Sequence, residues 1–185
     1  RCAVLATVID VRGSSYRLPG ARMLILERGQ TVGTVSGGCL EADVLERAKK
    51  VLQTGRADLL TYDTTENENS AFSLNMGCHG VIRILLEPIG RDNQLIGRFR
   101  AVHETRKRQV VATLISAESN AEFIVGGRLF FDGQSEFASD GLPPALAELA
   151  HLRDACSRFY TSSEAWHLQT FNTPEGTFEF ALENI

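Results

Sequence analysis

Two thiols, an imidazole and several glycines, serines and arginines are concentrated in three short segments of the first half of the chain. The segments span residues 12–22, 36–41 and 75–80. A cysteine thiolate is a nucleophile and a soft metal ligand, whereas arginines and convergent backbone N–H groups suit anions. These residue types therefore predict a site for thiol chemistry and anion binding.

The first segment, 12–22, is a loop between two predicted strands. Its glycines and paired serines permit backbone angles that gather N–H groups into a concave anion site, and its arginines add a charged fork suited to phosphate. A long hairpin loop built of ordinary turn residues explains the pattern equally well. The candidate anion-binding residues are Gly13, Ser14, Ser15, Arg17 and Arg22.

The second segment, 36–41, reads Ser-Gly-Gly-Cys-Leu-Glu and directly precedes a predicted helix. Two glycines let a ligand approach the backbone closely, and the first N–H groups of a helix favour a thiolate at Cys39. The alternative is a plain helix cap. The second half of the chain has Asp140-Gly141-Leu142-Pro143 before its helix, without a cysteine, which favours the functional interpretation. The candidates are Ser36, Gly37, Gly38, Cys39 and Glu41.

The third segment, 75–80, places a thiol and an imidazole between glycines on a predicted loop, and its candidates are Gly77, Cys78 and His79. Together with Cys39, these two side chains permit a zinc site or a Cys39/His79 nucleophilic pair. A zinc site needs a fourth ligand, and the pair needs an acid to orient the histidine; the sequence shows neither. Cys2 and Cys156 are predicted to be buried packing residues.

The elements that position these segments are predicted from hydrophobic periodicity and turn residues. Alternation indicates strands, and apolar residues spaced by three and four indicate helices. The predicted strands are 3–11, 22–26, 31–35, 59–62 and 81–87, and the predicted helices are 40–54 and 92–106.

The second half repeats this order, which predicts an internal duplication. A strand at 110–115, a hairpin over 123–131, a helix at 144–156 and a strand at 158–161 follow, and Gly80–Ile89 recurs as Gly176–Ile185. The predicted fold is α/β, with mixed sheets and helices in two related strand-hairpin-helix-strand lobes. The predicted domains are a site-bearing lobe at 1–90, a connecting helix at 91–108 and a degenerate supporting lobe at 109–185.

Composition excludes several functional classes. The net charge of −4 and 43% hydrophobic content predict a soluble globular protein without a nucleic-acid interface. No apolar run is long enough to span a membrane. Four cysteines are too few for a disulfide scaffold of this length, which indicates the reducing cytoplasm. A homodimer is compatible with the sequence.

The three segments, in this order, resemble the xanthine dehydrogenase accessory factor family, also called XdhC/CoxI. The family pattern has a Gly-Ser-Ser-x-Arg-x-Pro-Gly-Ala-Arg-Met loop, a Ser-Gly-Gly-Cys-x-Glu turn and a Gly-Cys-Gly-Gly-like turn. This chain matches at 13–23, 36–41 and 77–80, with Tyr16 and His79 as departures. The resemblance is strong over residues 4–89 and general in the second half.

The resemblance implies a chaperone that binds the molybdenum cofactor (molybdopterin) as cargo, protects it, assists its sulfuration with a cysteine desulfurase and delivers it to a xanthine dehydrogenase-like molybdenum hydroxylase. It implies that Cys39 contacts the molybdenum. It favours an accessory protein over an enzyme, and many relatives continue into a Rossmann-like domain that is absent from this sequence. The rival interpretations are a thiol- or metal-dependent hydrolase using Cys39, Cys78 and His79, and a structural module of a larger oxidoreductase-related protein.

Overall fold

The computed structural model describes residues 3–63, 80–90, 93–119, 125–134 and 137–185. The chain forms two compact units, Arg1–Arg91 and Asp92–Ile185. Each unit contains a five-stranded antiparallel sheet with helices, which confirms the predicted α/β class. In the part of the chain described, no helix has the length and apolar character needed to cross a membrane.

Among its described residues, the first unit has one helix and five strands in the order β3-β2-β1-β5-β4. Its core lies between one face of the sheet and the helix, whose buried residues Val44, Ala48 and Val51 follow the predicted spacing. The elements are β1 Ala3–Gly13, β2 Arg22–Leu26, β3 Thr31–Gly33, α1 Glu41–Thr54, β4 Asp58–Asp63 and β5 Gly80–Ile89.

The second unit has the corresponding strand order, β8-β7-β6-β10-β9. Its core is richer in aromatic residues and includes Phe131, Phe159, Phe178 and Phe180. The elements are α2 Gln94–Thr105, β6 Val110–Ser119, β7 Arg128–Phe131, β8 Phe137–Asp140, α3 Pro144–Ala147, α4 Ala150–Thr161, β9 Trp166–Thr173 and β10 Gly176–Asn184.

The two sheets share a local irregularity as well as their strand order. Ile9 is skipped in the pairing of β1 with β5, and Ile115 is skipped in the pairing of β6 with β10. Arg22 and Arg128 are separated by the same number of residues as Ile9 and Ile115. Each of these arginines donates a 3.0 Å hydrogen bond to the carbonyl two residues before it. A bulge and a side-chain contact at equivalent places support the predicted relation between the two units.

The structure of the second unit differs from three of its predicted elements. Residues 158–161 are the last turn of α4, because Phe159 continues the buried series Leu152–Cys156, and β9 takes the place of the predicted strand. The hairpin of the second unit is formed by β7 and β8. The sequence predicts it over residues 123–131, of which 123 and 124 lie outside the described residues. The predicted helix 144–156 is divided into α3 and α4, since Leu149 has an extended conformation.

Candidate functional site

One end of the first sheet carries the connections that contain the predicted site segments. β1 ends there at Gly13, β2 begins at Arg22 and β3 ends at Gly33, and β5 begins at Gly80, which pairs with Gly13. Antiparallel pairing fixes this arrangement, because the end of one strand meets the beginning of its neighbour. Segment 36–41 starts three residues after β3 and leads into α1 at the same end.

The turn before α1 is organised around the buried hydroxyl of Ser36. Ser36 Oγ accepts hydrogen bonds from the backbone N–H groups of Gly38 and Leu40, both at 3.1 Å, and donates its proton to the Glu41 carboxylate. A serine hydroxyl has one proton and two lone pairs, so these three bonds use its full capacity. Cys39 Sγ donates a long hydrogen bond of 3.7 Å to the same oxygen. Ser36 Oγ already accepts two backbone N–H groups, so the thiol shares this acceptor with them.

Glu41 folds back over the turn as an internal acceptor. Besides Ser36 Oγ, it accepts a 2.9 Å hydrogen bond from the Ser36 backbone N–H. Burial alone would raise the pKa of this carboxyl, but the hydrogen bonds from Ser36 and Thr34 outweigh it and lower the pKa from 4.5 to about 2. Glu41 is therefore ionised at neutral pH and holds the turn in place.

Thr34 is a member of this network that the sequence pattern does not single out. Its hydroxyl lies 2.5 Å from Glu41 Oε1 and 2.7 Å from the Ser36 carbonyl oxygen. The Thr34 hydroxyl therefore donates its one proton to these two acceptor oxygens. A Thr two residues before a Ser-Gly-Gly turn is an ordinary strand residue in sequence, and only the folded turn shows its role.

A glycine is favoured at each of the two positions of the turn for a different structural reason. Gly38 has a φ of +111°, which a residue with a side chain rarely adopts. Gly37 lies against the Tyr16 ring. A Cβ at this position would be 2.8 Å from that ring, so a side chain there would collide with it. Tyr16 belongs to the first predicted segment, so this contact brings the first and second segments together. Tyr16 as a whole residue remains 66% exposed.

The arginines of the first loop have different partners. Arg12 Nε lies 3.0 Å from the Asp10 carboxylate, and Arg22 donates to the Gly20 carbonyl. Arg17 is exposed, and its guanidinium has no hydrogen bond or ion pair among the described residues; its backbone N–H donates to Ser15 Oγ at 3.3 Å. Arg17 is thus the arginine of this loop that is available to an external anion.

The third segment is not covered by the structural description. Gly77, Cys78 and His79 lie outside the described residues, so the zinc site and the Cys39/His79 pair stay predictions. Gly80, which follows them, is placed directly against β1: a Cβ on Gly80 would lie 2.3 Å from the Arg12 carbonyl oxygen. Within the described residues, no group of three histidine, cysteine or acidic side chains is arranged to hold a metal ion.

The two described thiols have contrasting environments. Cys39 is half-buried at the turn, whereas Cys156 lies in the core of the second unit with 0% exposure. Burial raises the pKa of the Cys156 thiol to about 12. Cys156 is therefore a packing residue, as its predicted position on a helix indicated, and Cys39, which packs partly against the first core, is the more accessible of the two described thiols.

Residues 1–63 match the XdhC and CoxI family. The chain is 36% identical over 92 residues to a probable subunit of xanthine dehydrogenase from Bacillus subtilis, and the match covers 50% of this chain and 28% of that protein. It is 35% identical over 88 residues to the molybdenum cofactor insertion chaperone PaoD of Escherichia coli, covering 47% of this chain and 26% of PaoD. The chain thus spans about a quarter of the length of these relatives.

A solved structure extends the similarity beyond the N-terminal half. A xanthine dehydrogenase from Bacillus halodurans superimposes with a TM-score of 0.64 at 33% sequence identity. The superposition covers 76% of this chain and 41% of that one. It therefore includes parts of both units described above.

Proposed function

We propose that this chain, whose residues 1–63 match the XdhC and CoxI family, binds the molybdenum cofactor as cargo and inserts it into a xanthine dehydrogenase-like molybdenum hydroxylase. The relative PaoD is named as a molybdenum cofactor insertion chaperone, and this name supports the proposal. In this proposal the protein is an accessory factor and not an enzyme.

The observation that carries the proposal is the accessible thiol of Cys39 on a turn fixed from within. Ser36 and Glu41 hold the backbone of the turn, and Gly37 and Gly38 leave no side chain above it. The cofactor carries molybdenum on a dithiolene, and molybdenum accepts soft thiolate ligands. Cys39 would supply such a ligand when the cargo is bound.

The same arrangement suits a carrier that must release its cargo. A single thiolate offers one exchangeable bond to the metal, whereas a closed set of protein ligands would retain it. Among the described residues, Gly37 and Gly38 beside Cys39 are exposed, so a partner protein would have access to the bound group from this side. Transfer to the recipient then requires replacement of one protein ligand.

Sulfuration and compartment are further parts of the proposal. A cysteine desulfurase would reach the bound cofactor from the same open side, and the chain would protect the cofactor before delivery. A reducing cytoplasm keeps Cys39 available as a thiol. Both statements rest on the cargo role of Cys39 and fall with it.

Delivery can be tested with the apo form of a xanthine dehydrogenase-like hydroxylase. Wild-type protein purified without oxygen from cells that make the cofactor should activate the apoenzyme, whereas Cys39→Ser should not. Cys156→Ala serves as the control for loss of a thiol, and it should activate the apoenzyme in proportion to its folded fraction. Full activation by Cys39→Ser would refute the proposal.

A further inference from the structure

Several backbone N–H groups of the turn before α1 are already bound to acceptors within the protein. The N–H groups of Gly38 and Leu40 bind Ser36 Oγ, and the N–H of Ser36 binds the Glu41 carboxylate. An anion at a helix N-terminus depends on free N–H groups, and internal acceptors already use three of those in this turn.

The charge at this position also opposes an anionic ligand. Glu41 and Asp43 both lie in the first turn of α1, and the Glu41 carboxylate rests on the turn itself. A phosphate there would meet a fixed negative charge at close range. The phosphate of the cargo therefore needs another location.

Comparison of the two units indicates which arginine of the first segment is available to bind the phosphate. The contact of Arg22 with the Gly20 carbonyl is reproduced in the second unit by Arg128 and Gly126, at 3.0 Å in both. The second unit has no thiol turn, so this contact belongs to the shared scaffold. Arg12 is held by Asp10. Arg17 is next to Tyr16, whose ring packs on Gly37 in the thiol turn.

We infer that the cargo binds with a fixed polarity, its metal end at Cys39 and its terminal phosphate on Arg17, so that Arg17 determines preference for the phosphorylated pterin. The inference rests on the proposed function and assigns the phosphate to the first loop in place of the N-terminus of α1. A guanidinium donates two parallel hydrogen bonds to a phosphate, which suits an exposed arginine whose guanidinium has no partner among the described residues.

The test uses two fluorescent probes that differ only in the phosphate. The first is the oxidised pterin released from the molybdenum cofactor with its phosphate, and the second is the same compound after phosphatase treatment. Dissociation constants are measured by fluorescence anisotropy at fixed ionic strength. Wild-type protein should bind the phosphorylated probe about tenfold more tightly than the dephosphorylated probe.

Three variants locate the phosphate. Arg17→Ala should remove the preference and leave affinity for the dephosphorylated probe unchanged. Arg28→Ala removes an exposed arginine at the β2–β3 turn, at the other end of the sheet, and should keep the preference. Glu41→Gln should also keep it, since the phosphate does not lie beside Glu41.

Several results would overturn the inference. Equal affinity of the wild type for both probes, a preference that persists in Arg17→Ala, or a preference that increases several-fold in Glu41→Gln would each place the phosphate elsewhere. The delivery experiment with Cys39→Ser does not depend on these probes. A failed phosphate assignment is therefore distinguishable from a failed cargo role.

Discussion

The two units present the same sheet end with different connections. In the first unit, β3 leads through Ser36–Leu40 into α1, with a thiol and two glycines on an internally bonded turn. In the second unit, β8 leads through Gly141–Pro143 into the short helix α3. β9 and β10 are joined there by Pro174 and Glu175 alone, whereas sixteen residues separate β4 from β5.

This difference separates the requirements of the scaffold from those of the site. The bulge, the strand order and the arginine–carbonyl contact occur in both units, so packing and hydrogen bonding of the sheet explain them. The buried hydroxyl of Ser36, its bond to Glu41 and the exposed glycines occur only in the first unit among the residues described. They are not needed to start a helix after the third strand of this fold.

The largest expected difference between the units is the reactivity of their thiols. Cys39 is accessible, whereas Cys156 is fully buried and its pKa is raised to about 12. Iodoacetamide at pH 7.5, followed by peptide mass mapping, should modify Cys39 at least about a hundredfold faster than Cys156. In urea the two rates should converge. Equal rates in the folded protein would contradict the assigned environments.

Removal of the Ser36 hydroxyl should affect both stability and binding. Ser36→Ala leaves the Gly38 and Leu40 N–H groups and the Glu41 carboxylate without this partner, which should lower the free energy of unfolding by about 2–3 kcal/mol. The comparison variant is Leu142→Ala, which removes a buried side chain from the corresponding connection of the second unit.

Leu142→Ala should destabilise the protein by about 2–3 kcal/mol through a cavity. It should leave cofactor binding by the folded protein unchanged, whereas Ser36→Ala should weaken it. Urea unfolding and molybdenum content measure the two effects. Equal loss of molybdenum in both variants would mean that the turn has no special role.

A smaller effect is expected from filling the space between the first and second segments. Gly37→Ala places a Cβ within 2.8 Å of the Tyr16 ring, so the ring must move, at a cost of about 1–2 kcal/mol. The double variant Tyr16→Ala/Gly37→Ala should recover most of that loss, and a double-mutant cycle measures the coupling. Additive effects of the two changes would show that the contact is not formed.

The smallest expected effect is a pH dependence of stability. The pKa of Glu41 is lowered from 4.5 to about 2 in the folded protein, so its contribution is complete above pH 4.5 and is lost as the pH falls towards 2. For this partly exposed group the contribution is about 1 kcal/mol. Glu41→Gln should lose this part of the acid destabilisation in urea unfolding series at pH 6 and pH 3. If Glu41→Gln and the wild type showed the same difference in the free energy of unfolding between pH 6 and pH 3, the lowered pKa assigned to Glu41 would be contradicted.

Hydrophobic patterning predicts most of this fold, and the failures have specific causes. The period of Val44, Ala48 and Val51 identifies α1 because these residues face the sheet. Phe159 and Tyr160 have strand propensity, yet tertiary packing keeps them in α4, and no local pattern shows this. Strand propensity determines the secondary structure only where tertiary packing does not oppose it.

For the candidate site, residue types predict the thiol and the glycines, but not the network around them. Thr34 and Ser36 bind Glu41 only after β3 and α1 are placed, and Tyr16 reaches Gly37 through the fold of a separate loop. The different roles of Arg12, Arg17 and Arg22 are likewise not predictable from the sequence, since three arginines in one segment are alike as residue types. Partners in space, and not residue type, distinguish them.

The most direct test of the account is the molybdenum content of protein purified without oxygen from cells that make the cofactor. The metal and the oxidised pterin are quantified per chain for the wild type, Cys39→Ser and Cys156→Ala. The account predicts about one molybdenum per wild-type chain and per folded Cys156→Ala chain, and close to none for a Cys39→Ser protein whose melting temperature is unchanged. Molybdenum and pterin retained in full by Cys39→Ser would contradict the assignment of the cargo to the first unit's thiol turn.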